Sequence, residues 1–79
     1  MNDRIVLDPK IHHGKPVIKG TRVPVVSIIG DLAGGMSIEE VCRAYEVTEE
    51  DVRASLDYAA ELIDSERAYP GTVVRSLKR

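Results

Sequence analysis

The segment Met36–Val52, "MSIEEVCRAYEVTEEDV", decides the fold because it contains two helix starts eleven residues apart. Ser37 followed three residues later by Glu40 forms a capping box, in which each side chain binds the other residue's backbone amide. Thr48 and Asp51 repeat the pattern with a shorter carboxylate. Two short helices joined by a tight turn are typical of a helix-turn-helix. The segment therefore predicts helices at about 38–45 and 49–66.

Two apolar patterns fix the remaining helical surfaces. Val25, Ile28, Ile29 and Leu32 recur with helical spacing, and Gly34-Gly35 follow as a stop signal, so a first helix is predicted at about 24–33. In the third helix we expect one core-facing stripe. It consists of Val52, Leu56, Ala59 and Ile63.

The chain before the first helix is predicted to be a short β-ribbon at about 4–23. Ile5–Leu7 and Val17-Ile18 are β-prone runs bounded by proline and glycine, and Arg22-Val23 is a third extended piece before Pro24. Strands this short need a further surface to pack on. The predicted fold is α+β, mainly α: a ribbon followed by a three-helix, homeodomain-like helix-turn-helix core. Its unpaired ribbon edges suggest a homodimer.

Length and composition favour one globular domain, at 1–66, with a basic C-terminal tail at 67–79. The chain has 79 residues, 43% of them hydrophobic, with a single cysteine and no Trp or Phe. Cys42 cannot form an internal disulfide and is expected in the core. No stretch is apolar for long enough to span a bilayer, so we expect a cytoplasmic protein. Tyr45 and Tyr58 are expected to be half-buried, with their hydroxyl groups in water.

No catalytic, metal or cofactor site is predicted. The adjacent His12 and His13 would point in different directions on a strand, and no further ligands lie at useful spacing. The many carboxylates fall on solvated faces, where nothing raises a pKa for acid/base work. A non-enzymatic binding protein is therefore expected.

Charge is distributed unevenly along the chain. Residues 1–36 carry a net charge of +2, residues 37–66 carry -8, and residues 67–79 carry +4. The acidic block is either a binding surface for a basic partner or an ordinary solvated helix face. Different segments are therefore expected to face different partners or each other.

The segments 8–25, "DPKIHHGKPVIKGTRVPV", and 34–62, "GGMSIEEVCRAYEVTEEDVRASLDYAAEL", resemble the domain-of-unknown-function family 433, small prokaryotic proteins with a helix-turn-helix core. Members of that family are similar to VapB-type antitoxins. The resemblance implies a toxin-antitoxin system, in which this chain neutralises a PIN-type ribonuclease and binds its own operator.

DNA binding by the helix-turn-helix is disfavoured by charge. The start of the third helix, which normally enters the major groove, carries three consecutive acids, Glu49 to Asp51. Glu46 also stands where the tight turn usually has glycine. Better candidates are cations of the ribbon, together with the one cation near the start of the third helix. The candidate DNA-binding residues are Lys10, Lys15, Lys19, Arg22 and Arg53.

Two alternatives concern the ribbon and the tail. Arg22 could instead pair with acids of the third helix such as Asp57 or Glu61, and Thr21 could hydrogen-bond the turn. The tail could dock on its own domain or become ordered on a partner. By analogy with VapB-type antitoxins, its cations would meet the metal-binding carboxylates of the nuclease. The candidate partner-binding residues are Tyr69, Val73, Val74, Arg75, Leu77, Lys78 and Arg79.

Three function classes follow from these observations. The first is an antitoxin that binds its toxin through the basic tail. The second is a stand-alone DNA-binding transcriptional regulator that uses the ribbon cations. The third is an adaptor that uses the acidic block at 37–66 to bind a basic partner.

Overall fold

The computed structural model describes residues 2–65 and contains a two-stranded ribbon followed by three helices. The predicted α+β, mainly α architecture is confirmed, and the bounds of the first two helices differ from the predicted ones by at most one residue. The elements are β1 (Ile5–Leu7), β2 (Pro16–Ile18), α1 (Val25–Ala33), α2 (Ile38–Tyr45) and α3 (Glu49–Ser65).

The ribbon is antiparallel, with Ile5 opposite Ile18 and Leu7 opposite Pro16. The extended piece predicted at Arg22-Val23 lies along the other edge of β2, where the Ile18 amide donates to the Val23 carbonyl at 3.0 Å. Thr21 fixes the intervening turn, as expected: its hydroxyl donates to the Ile18 carbonyl at 2.7 Å and accepts from the Val23 amide at 2.9 Å. β2 is therefore covered on both edges.

The two histidines do not lie on a strand. His12–Gly14 is a 3-10 turn, and His12 and His13 have φ of 50° and 57°, in the left-handed region. His12 Nε2 is 3.0 Å from the Arg22 carbonyl oxygen, so its ring links this turn to the end of the ribbon. The expectation of an extended conformation was wrong because the turn between β1 and β2 needs backbone angles that strands do not provide.

Both predicted helix caps are present. Glu40 accepts from the Ser37 amide at 2.8 Å while Ser37 accepts from the Glu40 amide at 3.0 Å, and Thr48 and Asp51 make the same pair of bonds at 3.0 and 3.1 Å. Between the two caps, Glu46 has φ of 57° and ends α2 in the left-handed conformation. The turn therefore needs the positive φ that glycine usually supplies.

The core lies where the ribbon and the three helices meet. Its fully buried side chains come from β2, α1, α2 and α3. They are Val17, Ile18, Ile28, Val41, Val52 and Ser55. Ser55 is the one polar member among the described residues, and its hydroxyl donates to the Asp51 carbonyl at 3.0 Å, so its burial leaves no unpaired group.

The predicted stripe on α3 was wrong in its outer members. Val52 is buried and Ala59 is half-buried, but Leu56 and Ile63 are 42% and 74% exposed. The buried positions are Val52, Ala54 and Ser55, in the first two turns. Residues 60–65 are all exposed, because α3 continues beyond the elements that pack on its first half.

Tyr45 also differs from expectation. Its hydroxyl donates to the Asp31 carboxylate instead of lying in water, and this bond raises the pKa of the Tyr45 phenol. The contact joins the end of α2 to the end of α1. It was not visible in the sequence because the partner is 14 positions away.

Candidate partner-binding and nucleic-acid surfaces

The first turn of α3, which would enter a DNA groove in a standard helix-turn-helix, is held by ion pairs from elsewhere in the fold. Arg4 lies just before β1, and its guanidinium contacts the Asp51 carboxylate at 2.9 Å and the Glu50 carboxylate at 3.1 Å. The carboxylates also complement the positive end of the helix dipole. Arg4 therefore binds two of the three acids.

Asp51 is the most constrained of these acids, with only 14% of its side chain exposed. Partial burial alone raises the pKa of its carboxyl. The hydrogen bonds from the Thr48 amide and from Arg4 outweigh that effect, so the pKa lies below its ordinary value. Asp51 thus stabilises the folded domain in its ionised form.

Replacing Asp51 with Asn is expected to reduce the free energy of unfolding by about 1 kcal/mol at pH 7, because the charge-assisted cap and the Arg4 pair are removed. A carboxyl group whose pKa is lowered by folding stabilises the protein at pH values above its unfolded-state pKa. This stabilisation is lost as the pH falls through the folded-state pKa. The difference in free energy of unfolding between wild type and the Asn variant should therefore decrease as the pH falls below 3.8, the ordinary pKa of an Asp carboxyl group. Urea unfolding at a series of pH values measures it.

The matched control is Glu50→Gln, which removes the other carboxylate bound by Arg4. The Glu50 side chain is 75% exposed and takes no part in a cap, so this variant should unfold like wild type at every pH. Equal effects of the two substitutions would contradict the role given to Asp51.

The cation predicted to reach DNA from α3 is also paired. Arg53 Nη2 lies 2.7 Å from the Glu49 carboxylate one turn earlier on the same helix. Both side chains are exposed, so the pair contributes little stability, but it places a carboxylate beside the cation that a phosphate would need. This end of α3 is poorly suited to a polyanion.

The four candidate DNA-binding cations of the ribbon differ from Arg53 in their pairing. Lys10, Lys15, Lys19 and Arg22 are all exposed. Within residues 2–65, none of the four takes part in an ion pair. In particular, the alternative pairing of Arg22 with acids of α3 is not formed there: Arg4 takes that role, and Asp57 accepts a hydrogen bond from Asn2 at 3.4 Å. The role of the four ribbon cations in DNA binding stays a prediction.

Arg4 is the residue that sequence reasoning missed. Its partners are 46 and 47 positions away, so no local pattern could single it out. The seven candidate partner-binding residues, Tyr69, Val73, Val74, Arg75, Leu77, Lys78 and Arg79, lie outside the described residues, and their role stays a prediction.

An apolar groove between α1 and the second half of α3 was also not predicted. It encloses about 260 Å³, and its walls carry Val26 and Ile29 from α1 and Tyr58, Ala59, Leu62 and Ile63 from α3. We refer to it as the α1–α3 groove. Leu62 and Ile63 are 41% and 74% exposed, so this end of α3 presents large aliphatic side chains to solvent.

Other kinds of site have little support in the part of the chain that the structure describes. Residues 2–65 contain no group of three or more His, Cys, Asp or Glu side chains that could hold a metal ion. Cys42 is partly buried against the core, in agreement with its predicted place. None of the described helices is long and apolar enough to cross a membrane.

Comparison with known proteins identifies related chains. A family model described as "Protein of unknown function (DUF433)" matches residues 5–59. "Putative antitoxin VapB45" of Mycobacterium tuberculosis (strain ATCC 25618 / H37Rv) is 38% identical over 56 residues, which are 71% of this chain and 23% of that protein. The X-ray crystal structure of Rv2018 from Mycobacterium tuberculosis superposes with a TM-score of 0.62 at 38% identity, over 67% of this chain and 25% of that one. The chain thus spans about a quarter of the length of these relatives.

Proposed function

This chain belongs to the DUF433 protein family, and we propose that it is an antitoxin, a non-enzymatic cytoplasmic protein that binds and neutralises a ribonuclease toxin of PIN type. The observation that carries the proposal is the 38% identity to a protein named as an antitoxin. The family model matches residues 5–59, a range that includes both caps and the ribbon. The relative is much longer than this chain, so the proposal is limited to the function of this domain and its tail.

The electrostatics of α3 support a protein partner over DNA in the major groove. Glu50 and Asp51 are bound by Arg4, and Glu49 is bound by Arg53. Each of the three acids at the start of α3 is therefore paired with a cation of this chain, and together they repel a phosphate backbone. The helix-turn-helix then serves as a scaffold from which other surfaces bind.

The proposed toxin contact is the basic tail. Arg75, Lys78 and Arg79 supply cations for the carboxylates that hold metal ions in a PIN-type nuclease, and such charge-assisted contacts are among the stronger hydrogen bonds. The apolar tail residues bury area on the nuclease, and Tyr69 provides an aromatic anchor. These apolar residues are Val73, Val74 and Leu77.

The test is inhibition of a purified PIN-type nuclease encoded beside this protein. Titration with the full chain should abolish RNA cleavage at a defined stoichiometry, and the two proteins should elute together from a sizing column. Undiminished cleavage in the presence of excess chain, with no complex, would refute the antitoxin proposal.

A second candidate function, binding of operator DNA by the ribbon, rests on the exposed ribbon cations, which make no ion pair within residues 2–65. Lys15 and Lys19 flank β2, and Arg22 follows the Gly20 turn, where φ is 81°. A β-ribbon can enter a groove or lie against phosphates, and exposed cations can replace condensed counterions. This function is compatible with an antitoxin that regulates its own operator.

Operator binding predicts a specific salt dependence. Replacing Lys15, Lys19 and Arg22 together with Ala should weaken DNA binding and reduce the slope of log K against log salt by about 2 to 3, roughly one for each phosphate that the variant no longer neutralises. Fluorescence anisotropy with operator fragments between 50 and 200 mM salt, about the range over which such contacts act, measures the slope. Arg53→Ala is the control and should leave it unchanged. An unchanged slope in the triple variant would exclude the ribbon.

A further inference from the structure

Apolar side chains extend from the buried core into the α1–α3 groove, where they become exposed. The side chains of Val52 and Ser55 are buried, whereas those of Leu62 and Ile63, farther along α3, are 41% and 74% exposed. The opposite wall contains Val26, which is 64% exposed. Pro16 closes one end, and Leu7, its cross-strand neighbour, is 57% exposed beside it. The result is one contiguous apolar surface across the ribbon end, α1 and α3.

Among residues 2–65, the side chains that line this surface carry no charge at neutral pH. The α3 residues that line it fall at helical positions i, i+1, i+4 and i+5. Asp57, Glu61 and Asp64 fall at i, i+4 and i+7 on the other side of the helix. The described residues that line the groove are therefore uncharged, although Glu61 lies beside the groove and lines a neighbouring surface pocket with Tyr58 and Leu62. When two copies meet, the described lining residues themselves bring no like charges into contact.

The surface is also large enough for a specific contact. The exposed fractions of Leu7, Val26, Leu62 and Ile63, with the half-buried lining, amount to roughly 500 Å² of apolar surface, close to the largest patch that a typical monomer exposes. A two-fold contact would bury on the order of 1,000 Å² in total, near the lower limit for a biological interface. The patch combines a groove with a protruding Ile63, which is the self-complementary shape that a two-fold interface requires.

We propose that the α1–α3 groove is a homodimer interface, in which Ile63 of each copy packs into the groove of the other. This inference is independent of the antitoxin proposal. It replaces the ribbon edge as the expected contact, because β2 is covered on both sides and the free edge of β1 is three residues long. A small domain whose own core is limited gains stability by covering such a surface.

The experiment is sedimentation equilibrium of the full chain over a range of concentrations. Wild type should form a weak dimer, with a Kd on the order of 10 μM. Ile63→Glu should raise the Kd at least about 30-fold, because a carboxylate would be buried without a partner. Val26→Glu, on the other wall, should do the same. Circular dichroism should show unchanged helix content, since both positions are exposed in the monomer.

Ala60→Glu is the matched control, with the same charge added to the same segment of α3 at an exposed position outside the groove. Its Kd should stay within about threefold of wild type. The proposal is overturned if wild type is monomeric at about 200 μM, well above the expected Kd, or if Ala60→Glu and Ile63→Glu weaken association equally. It is also overturned if the full chain is monomeric while a chain ending at Glu66 dimerises, because the tail would then occupy the groove.

Discussion

Replacing Ile28 with Ala is expected to remove a large fraction of the protein's free energy of unfolding. Ile28 lies in the middle of α1 with no exposed surface and belongs to the core cluster formed by all five elements. Removing three carbons from such a site costs about 2–5 kcal/mol, counting both the transfer free energy of the removed atoms and the cavity. A domain of this size has a total stability of about 4–12 kcal/mol, so the loss is a large fraction of it.

Urea unfolding followed by circular dichroism measures the effect, with Leu56→Ala as the control. Leu56 is an aliphatic residue of similar size on α3, but it is 42% exposed and lies outside the α1–α3 groove. Its truncation should cost less than about 1 kcal/mol. A comparable loss in both variants would mean that the core is not centred where α1 meets β2 and α3.

Charge reversal in the tail is expected to have the largest effect on function. Substituting Glu for Arg75, Lys78 and Arg79 places three carboxylates against the proposed carboxylate cluster of the nuclease, so attraction becomes repulsion. Loss of a buried charge pair costs about 2–5 kcal/mol, and affinity for the nuclease should fall at least about 100-fold. Isothermal titration calorimetry with the purified nuclease measures the affinity, and deletion of residues 67–79 should match the result.

The control for this variant is the same charge change on the ribbon, with Glu for Lys15, Lys19 and Arg22. All three are exposed and make no ion pair within residues 2–65, so the domain should remain folded. Toxin affinity should change by less than about fivefold, because only long-range electrostatics differ. If the ribbon variant loses the nuclease and the tail variant keeps it, the toxin-binding surface is the ribbon.

The features that the sequence predicted well are those encoded within a few residues. Ser37 with Glu40 and Thr48 with Asp51 are three positions apart, and both pairs form the predicted caps. Glu46 was recognised as an unusual residue for its turn, and it does adopt a left-handed conformation. Such signals depend on local backbone geometry, which a single sequence records directly.

The features that the sequence did not predict depend on distant contacts. Arg4 and Asp51 are 47 positions apart, and only the folded ribbon brings them together. Leu56 and Ile63 fit the helical period of Val52, yet they are exposed. Periodicity reports which residues share a helix face, but it does not show how far neighbouring elements extend along that face.

The acids at the start of α3 disfavour DNA binding in the major groove, which is the usual function of a helix-turn-helix. Glu49, Glu50 and Asp51 are held by Arg53 and Arg4. The same pairs also weaken the adaptor alternative, since these acids already bind cations of this chain. Two basic segments carry the proposed functions: the ribbon is proposed for DNA and the tail sequence is proposed for the toxin.

The most direct test of the central claim is affinity capture from source cells with the full chain as bait, followed by mass spectrometry of the retained proteins. A chain ending at Glu66 serves as the parallel bait. The account predicts a PIN-type nuclease held in stoichiometric amount by the full chain and absent from the shorter one. The absence of any nuclease from both baits would contradict the antitoxin function and favour a stand-alone regulator.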